Sequence, residues 1–352
     1  MGGVAVGYVN MAAVMLAGLV LTPFLLGRLG QHDYGLWLVG LQILAYLALM
    51  DFGVVTLLAR ATAYATGRAG GIDKAADLPD VIGQTVRLVL WQVPLVAAVA
   101  GGVWLFMPAE WSPLQAPVGL MLIGFVVMFP VRALRAVLEG LQDLTFLGQI
   151  QLGTWLAGIL VTVAAIVGGR GLLSLALGWV VSQILAGACW AYRLRQRFPG
   201  IFPARLPALS AAAARRQLGQ GFWVIVAQVA HVLLAGTDVL IIGILAGPAA
   251  VVPFVCTGKL ISVLTNQPHL LMQAAGPALS EMRMGEPKAR LFQVSSALTQ
   301  AMLMASGAVA CAVLAVNQGF VTWWVGADQY AGLPLTVLLV LVMLLRHWNT
   351  TT

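Results

Sequence analysis

Long runs of apolar residues recur along this chain and restrict the folds that it can adopt. Each run approaches or exceeds the roughly 20 residues that an α-helix needs to cross the hydrocarbon core of a bilayer. The sequence therefore predicts an all-α polytopic membrane protein with about ten transmembrane helices. The predicted spans are residues 4–26, 35–58, 81–107, 117–138, 149–168, 171–192, 221–245, 250–275, 294–316 and a short last one, 332–346.

The composition excludes the other broad classes. Hydrophobic residues make up 61% of the 352 residues and charged residues only 9%, whereas soluble domains carry about 25% charged residues. So few charges cannot cover the surface of a water-soluble globule of this size. Disordered and collagen-like chains are excluded by the same figures. The three cysteines are widely separated within apolar stretches, which provides neither a disulfide framework nor a thiolate metal site.

The distribution of Lys and Arg predicts the orientation in the membrane. With a cytoplasmic N-terminus, 16 of the 19 Lys and Arg residues fall in or beside inner connections, and only Arg28 and Arg170 lie in outer ones. Because cytoplasmic loops are enriched in these residues, we expect a multi-pass membrane protein with its N-terminus in the cytoplasm. We therefore expect the positively charged residues to form a cytoplasmic surface that faces anionic lipid, and we expect no nucleic-acid partner.

The spans divide into two halves with an internal repeat. We expect an N-terminal six-helix lobe at 1–198, a proline-containing cytoplasmic linker at 199–217 and a C-terminal lobe at 218–352. Motifs recur at an offset of about 217 residues with both copies starting on the same side, which indicates a parallel repeat. By that symmetry a complete chain has 12 helices, so we expect the C-terminal lobe, with four helices, to be truncated. Residues 60–80 and 278–293 are predicted as amphipathic surface helices.

Polar side chains inside the spans are the candidate site residues, because they are costly in hydrocarbon. In the seventh and eighth spans they fall on single helix faces of about 80° each, and a third face lies on the third span. Three polar faces predict a shared hydrated cavity. The predicted cavity residues are Gln84, Arg87, Gln228, His231, Lys259, Asn266, His269 and Gln273.

Two aspartates are predicted counter-ions or gate residues. Asp238 and Lys259 flank the hairpin at Pro248 at similar depth, so an ion pair between them either holds the hairpin together or is displaced by an anionic substrate. Asp51 and Arg87 form a second possible pair. His231, His269 and Asp238 do not have the spacing of a metal site, and we expect the histidines to line the cavity, with proton coupling left open.

Several motifs resemble the polysaccharide biosynthesis proteins, the Wzx-type lipid-linked oligosaccharide flippases of the multidrug/oligosaccharidyl-lipid/polysaccharide (MOP) exporter superfamily. The similarity extends over nearly the whole chain. The motifs are LGQHDYGLW at 29–37, LMDFG at 49–53, EGLQD at 139–143, GQGFW at 219–223, Thr237-Asp238 with Gly243 and Gly247, WVG at 324–326 and YAG at 330–332.

This resemblance implies a two-lobe, MATE-like bundle around a cavity that opens alternately to each side. It also implies a location in the bacterial inner membrane and a substrate, an oligosaccharide on undecaprenyl diphosphate, that is moved from the cytoplasmic to the periplasmic leaflet for O-antigen or related lipopolysaccharide synthesis. A polysaccharide polymerase and chain-length proteins are expected partners, and no cofactor is expected. Lys259 and Arg87 are the predicted diphosphate ligands. The alternatives are a cation-coupled multidrug exporter of the same superfamily and, with less support from the short outer loops, a membrane-embedded polymerase or acyltransferase.

Overall fold

A computed structural model describes residues 2–71, 75–203, 206–207, 211–265 and 287–351. These residues are almost entirely helical, as the apolar runs predict. The helices fall into two compact units, one formed by Met1–Ala17 and Gly27–Pro248, the other by Gly18–Leu26 and Ala249–Thr352. The first helix, α1 (Gly2–Leu29), contributes to both.

The first unit contains most of the helices. They are α2 (Gln31–Ala48), α3 (Val54–Ala69), α4 (Leu78–Leu105), α5 (Ser112–Met128), α6 (Arg132–Gly140), α7 (Leu144–Val167), α8 (Leu173–Arg197) and α9 (Ala211–Leu245), with short 3₁₀ turns at Leu49–Asp51 and Ala109–Trp111. Buried apolar side chains of α3, α4, α6, α7 and α8 form one core, which includes Leu58, Ile82, Val137 and Leu194. This core holds the short helix α6 against its longer neighbours.

The second unit is built from α10 (Pro248–Thr265), α11 (Lys288–Val325) and α12 (Leu333–Thr351). Its apolar core joins Ile261, Val313 and Met343. The buried Asn317 amide of α11 joins the other two helices of this unit, since its Nδ2 donates to the Thr257 carbonyl of α10 at 3.0 Å and to Thr336 Oγ1 of α12 at 3.1 Å. Such interhelical hydrogen bonds fix helix register where lipid offers no alternative partner.

The predicted spans agree with the helices. Within the described residues, eight helices are long and apolar enough to cross a membrane, and the bent helix within α9 makes a ninth. The last predicted span corresponds to the shorter apolar helix Leu333–Asn349. The protein is therefore a polytopic α-helical membrane protein.

Two predicted spans extend too far. The second was expected to continue to residue 58, but the chain leaves the helix at Phe52 and Gly53, with φ of 51° and 70°, and restarts as α3. The amphipathic helix expected at 60–80 thus begins earlier and ends at Ala69. The fourth was expected to reach residue 138, but α5 ends at Met128. Pro130 has no N–H to donate, and the chain turns there before α6 begins.

Other sequence-based expectations are only partly covered. Of the amphipathic helix predicted at 278–293, residues 278–286 lie outside the described residues and 288–293 form the start of α11.

In the first unit, α9 contacts α2 through a Tyr46–Thr237 hydroxyl hydrogen bond of 2.6 Å and α3 through Gln228 and Thr56. The compact units do not test the proposed lobes at 1–198 and 218–352, which stay a prediction.

Gly53 is required by both conformation and space. At φ 70° a side chain is disfavoured, and a Cβ would lie 3.0 Å from Val224 Cβ and 3.2 Å from the Gly221 carbonyl oxygen of α9. The lack of a side chain at Gly53 therefore also allows α9 to lie close to the turn after α2.

We expect Gly53→Ala to destabilise the protein by about 1–2 kcal/mol, because an L-residue is forced into the left-handed region. The measurement is thermal unfolding of the purified protein in detergent. Gly67→Ala is the control, since Gly67 lies within α3 with nothing within 4 Å of an added Cβ, and alanine favours helix there. Equal melting temperatures for the two variants would contradict this account of the turn.

Candidate functional site

Asp51 is fixed at the break between α2 and α3. Its residue surface is only 2% exposed. One carboxylate oxygen accepts the Gly53 N–H at 2.9 Å, and the Gln92 side chain of α4 donates to the Asp51 carbonyl at 3.2 Å. A carboxylate with this little access to water requires a cation or strong donors nearby.

That cation is Arg132, the first residue of α6. Its Nη2 lies 3.4 Å from the second carboxylate oxygen of Asp51, and its guanidinium lies 5.7 Å from the centre of the Phe129 ring. Burial lowers the pKa of Arg132 from its ordinary value, while Asp51 opposes and Arg135 adds to this effect. Only one guanidinium nitrogen contacts the carboxylate, which leaves other donors of Arg132 for a further anion.

The predicted Asp51–Arg87 pair is wrong. The Arg87 guanidinium donates instead to two carbonyl oxygens, those of Leu206 at 3.2 Å and Pro207 at 2.9 Å. A Cβ on the neighbouring Gly83 would collide with Pro203 and Pro207, so this segment lies directly on α4. Arg87 thus attaches residues 206–207, which follow α8, to α4. The predicted pair with Asp51 was wrong because the depth of the two residues was inferred only from their positions within the spans.

Close packing of α3 and α6 gathers further arginines. A Cβ on Gly140 would lie 2.5 Å from the Ala59 carbonyl oxygen and 2.5 Å from Thr62 Cβ, so the two backbones nearly touch. The face of α6 that is not buried in the core carries Arg132, Arg135 and Glu139. This geometry places Arg60 of α3 beside the α6 arginines.

Two adjacent cavities in the first unit share these arginines. Cavity A, of about 640 Å³, lies among α2, α3, α5, α6 and α8. Cavity B, of about 560 Å³, lies among α2, α3, α6 and α9. Thr56, Arg60 and Arg132 line both, together with Ala45 and Ala48. Arg135, Glu139, Gln183, Trp179 and Trp190 line cavity A alone, and Trp223, Gln228 and His231 line cavity B alone.

Two of the predicted cavity residues lie in cavity B. Gln228 and His231 face it from α9, and the Gln228 amide donates to Thr56 Oγ1 at 3.1 Å. Asp238 lies further along α9 and is exposed, while Gln84 is half-buried on α4. Of the three polar residues predicted on one face of the seventh span, Gln228 and His231 therefore line this cavity and Asp238 does not.

The remaining predicted residues belong elsewhere in the chain. Lys259 lies in α10 of the second unit, where its Nζ would be 3.2 Å from a Cβ on Gly18 of α1. The predicted pair of Asp238 with Lys259 joins residues of the two units and stays a prediction. Asn266, His269 and Gln273 lie outside the described residues.

The arginine cluster was missed as a site by the sequence reasoning. In the sequence, Arg60, Arg132 and Arg135 belong to the excess of Lys and Arg assigned to the inner connections, and Trp179 and Trp190, near span ends, have positions typical of membrane-interface anchors. A usable signal was present, since Arg132, Arg135 and Glu139 come after Pro130, are separated from each other by three and four residues, and so share one helix face. Which helix that face meets is set by tertiary packing.

The fold and cavities define a multi-pass helical membrane protein with a cationic, hydrogen-bonding cavity in one of its two units. Residues 3–283 match the family described as polysaccharide biosynthesis protein. The chain belongs to this family, which comprises the Wzx-type flippases of the MOP superfamily. A comparison with curated proteins gave no significant match.

We expect Asp51 and Arg132 to be energetically coupled. Arg132→Gln leaves the carboxylate buried without its cation, whereas Asp51→Asn with Arg132→Gln removes both charges. The double variant should be less destabilised than the sum of the single variants, with a coupling of about 0.5–3 kcal/mol. Thermal unfolding of the four proteins measures this coupling. Strictly additive losses would show that the contact at 3.4 Å contributes nothing.

Proposed function

We propose that this protein is a flippase that moves an oligosaccharide on undecaprenyl diphosphate from the cytoplasmic to the periplasmic leaflet of the bacterial inner membrane, by alternating access. The product would serve synthesis of O-antigen or a related surface polysaccharide. Family membership supports the transporter class rather than an enzyme. The observation that carries the proposal is the grouping of Arg60, Arg132 and Arg135 at a cavity within an apolar helical protein.

The chemistry of the substrate requires such a cavity. A diphosphate carries charges that are very costly to place in hydrocarbon unless they are paired. Guanidinium groups bind phosphate oxygens through several hydrogen bonds at once and remain charged under all physiological conditions. Three arginines against the single carboxylate of Glu139 leave cavity A positive, even with Arg132 shared with Asp51.

The direction of transport is inferred from charge distribution. Arg60 and Arg135 lie on segments that the excess of Lys and Arg assigns to the cytoplasmic side, together with a cytoplasmic N-terminus. The cavity would then receive the diphosphate where lipid-linked sugars are assembled.

Lys259 of the second unit is proposed as a further cation on the path, with Asp238 as its counter-ion. A polymerase and chain-length proteins would receive the flipped product.

A cation-coupled drug exporter of the same superfamily is the alternative. Such an exporter is expected to present carboxylates and aromatic groups to cationic drugs. The three guanidinium groups at cavity A would repel these drugs, which favours the anionic substrate.

The proposal is tested by analysing undecaprenyl-linked glycans by mass spectrometry in cells that lack the gene, with an external glycosidase reporting which leaflet holds them. We expect completed oligosaccharide units to accumulate on the cytoplasmic side and to be cleared by a plasmid copy of the gene. An unchanged glycan pool together with altered drug sensitivity would reject the flippase in favour of the exporter.

Within the same assay, we expect Arg60→Gln with Arg135→Gln to reduce translocation by tenfold or more. Each lost charge-assisted hydrogen bond is worth about 1.5–3 kcal/mol, and about 1.4 kcal/mol corresponds to a factor of ten. Arg170→Gln is the matched control, because Arg170 is an exposed residue between α7 and α8 away from both cavities. Full activity of the double variant, at equal protein level, would remove these arginines from the mechanism.

A further inference from the structure

Three side chains of α8 form a stripe along one wall of cavity A. Trp179, Gln183 and Trp190 all line this cavity. At 100° per residue, Gln183 and Trp190 fall within about 40° of Trp179, and the stripe extends about 16 Å along the helix axis. We call these three residues the α8 stripe. Two indoles separated by this length can contact different parts of an elongated ligand.

The polar groups of the α8 stripe are available for a ligand. All three side chains belong to half-buried residues. In the part of the chain that the structure describes, neither indole N–H and neither end of the Gln183 amide has a hydrogen-bond partner. Tryptophan N–H groups withdrawn from water usually find an acceptor. The α8 stripe thus lines the cavity with residues that carry two donors and one amide, none of them engaged by another described residue.

The surroundings select among possible occupants. The α8 stripe shares cavity A with Arg60, Arg132, Arg135 and Glu139. A polyprenyl chain has no groups that could bind these charges, and lipid outside the protein suits it better. An oligosaccharide fits the lining, because its hydroxyls bind amides, carboxylates and indole N–H groups. The C–H faces of its rings carry slight positive charge and pack against the negative faces of indoles.

We propose that the α8 stripe is the glycan subsite of this protein, with Trp179 and Trp190 as stacking platforms and Gln183 as a hydroxyl-reading residue between them. The inference rests on the proposed function, since the arginines shared by both cavities would hold the adjoining diphosphate. Trp179, Gln183 and Trp190 are then determinants of which oligosaccharide is carried. Interface anchoring, the role that the sequence suggested for the two tryptophans, does not require contact with a cavity lined by arginines.

The test compares two diphosphate diesters of equal charge that differ in the presence of the sugar. The methyl ester of farnesyl diphosphate and a farnesyl diphosphate carrying a disaccharide are titrated against the full chain in lipid nanodiscs. We expect the wild-type protein to bind the sugar-bearing probe at least tenfold more tightly. Gln183→Leu, and Trp179→Phe with Trp190→Phe, should each abolish most of that preference while leaving the affinity for the methyl ester of farnesyl diphosphate within twofold.

Matched variants separate this inference from the proposed function. Trp91→Phe is the tryptophan control, because Trp91 is 70% exposed on α4 and lines neither cavity A nor cavity B, and it should keep the wild-type preference. Arg60→Gln with Arg135→Gln should weaken both probes together. If the arginine variant binds both probes normally, the diphosphate site and the proposed function fail.

Other outcomes bear on the subsite alone. Equal binding of the two probes by the wild-type protein would overturn the glycan subsite while leaving the diphosphate site intact. A loss of both probes in proportion in the Gln183→Leu variant would also overturn it, because the residue would then support the fold or the diphosphate. A selective loss of the sugar-bearing probe in the Trp91→Phe control would remove the α8 stripe as its explanation.

Discussion

The pairing of Asp51 with Arg132 determines how the first unit is arranged around its cavities. The carboxylate closes the turn between α2 and α3 through the Gly53 N–H and reaches the first residue of α6 through its other oxygen. One buried group therefore links a helix break, a neighbouring short helix and the wall of two cavities. Since a charge is tolerated in apolar surroundings only with its partner, the position of α6 and the position of its arginines are fixed together.

The broad fold could be predicted from the sequence because lipid imposes a simple length rule. Runs such as 149–168 and 171–192 match α7 and α8 closely, since nothing interrupts their apolar pattern. The predictions failed where a local conformation ended the helix before the apolar run did. The left-handed Phe52–Gly53 pair and Pro130 both lie inside runs that hydropathy alone treats as continuous. One of the family motifs, LMDFG at 49–53, contains the first of these breaks.

The site could be predicted only in part. Gln228 and His231 were identified because polar residues on an apolar helix are conspicuous, and both line cavity B. Arg60 and Arg135 were not, since arginines near helix ends are common and sequence does not reveal that Gly140 brings α6 against α3. Trp179 and Trp190 lie near span ends, a position that is also typical of interface anchors. Their contact with cavity A depends on the rotation of α8, which is fixed by packing against α5 and α7.

The attachment of residues 206–207 to α4 differs in electrical character from the other arginine contacts. Arg87 donates to the neutral carbonyl groups of Leu206 and Pro207, whereas Arg132 and Arg193 each meet a carboxylate. A carbonyl acceptor does not titrate, and an ion–dipole contact is less affected by dissolved salt than a pair of opposite charges. Acidification therefore leaves both acceptors that hold residues 206–207 to α4 unchanged, whereas it neutralises carboxylate partners such as those of Arg132 and Arg193.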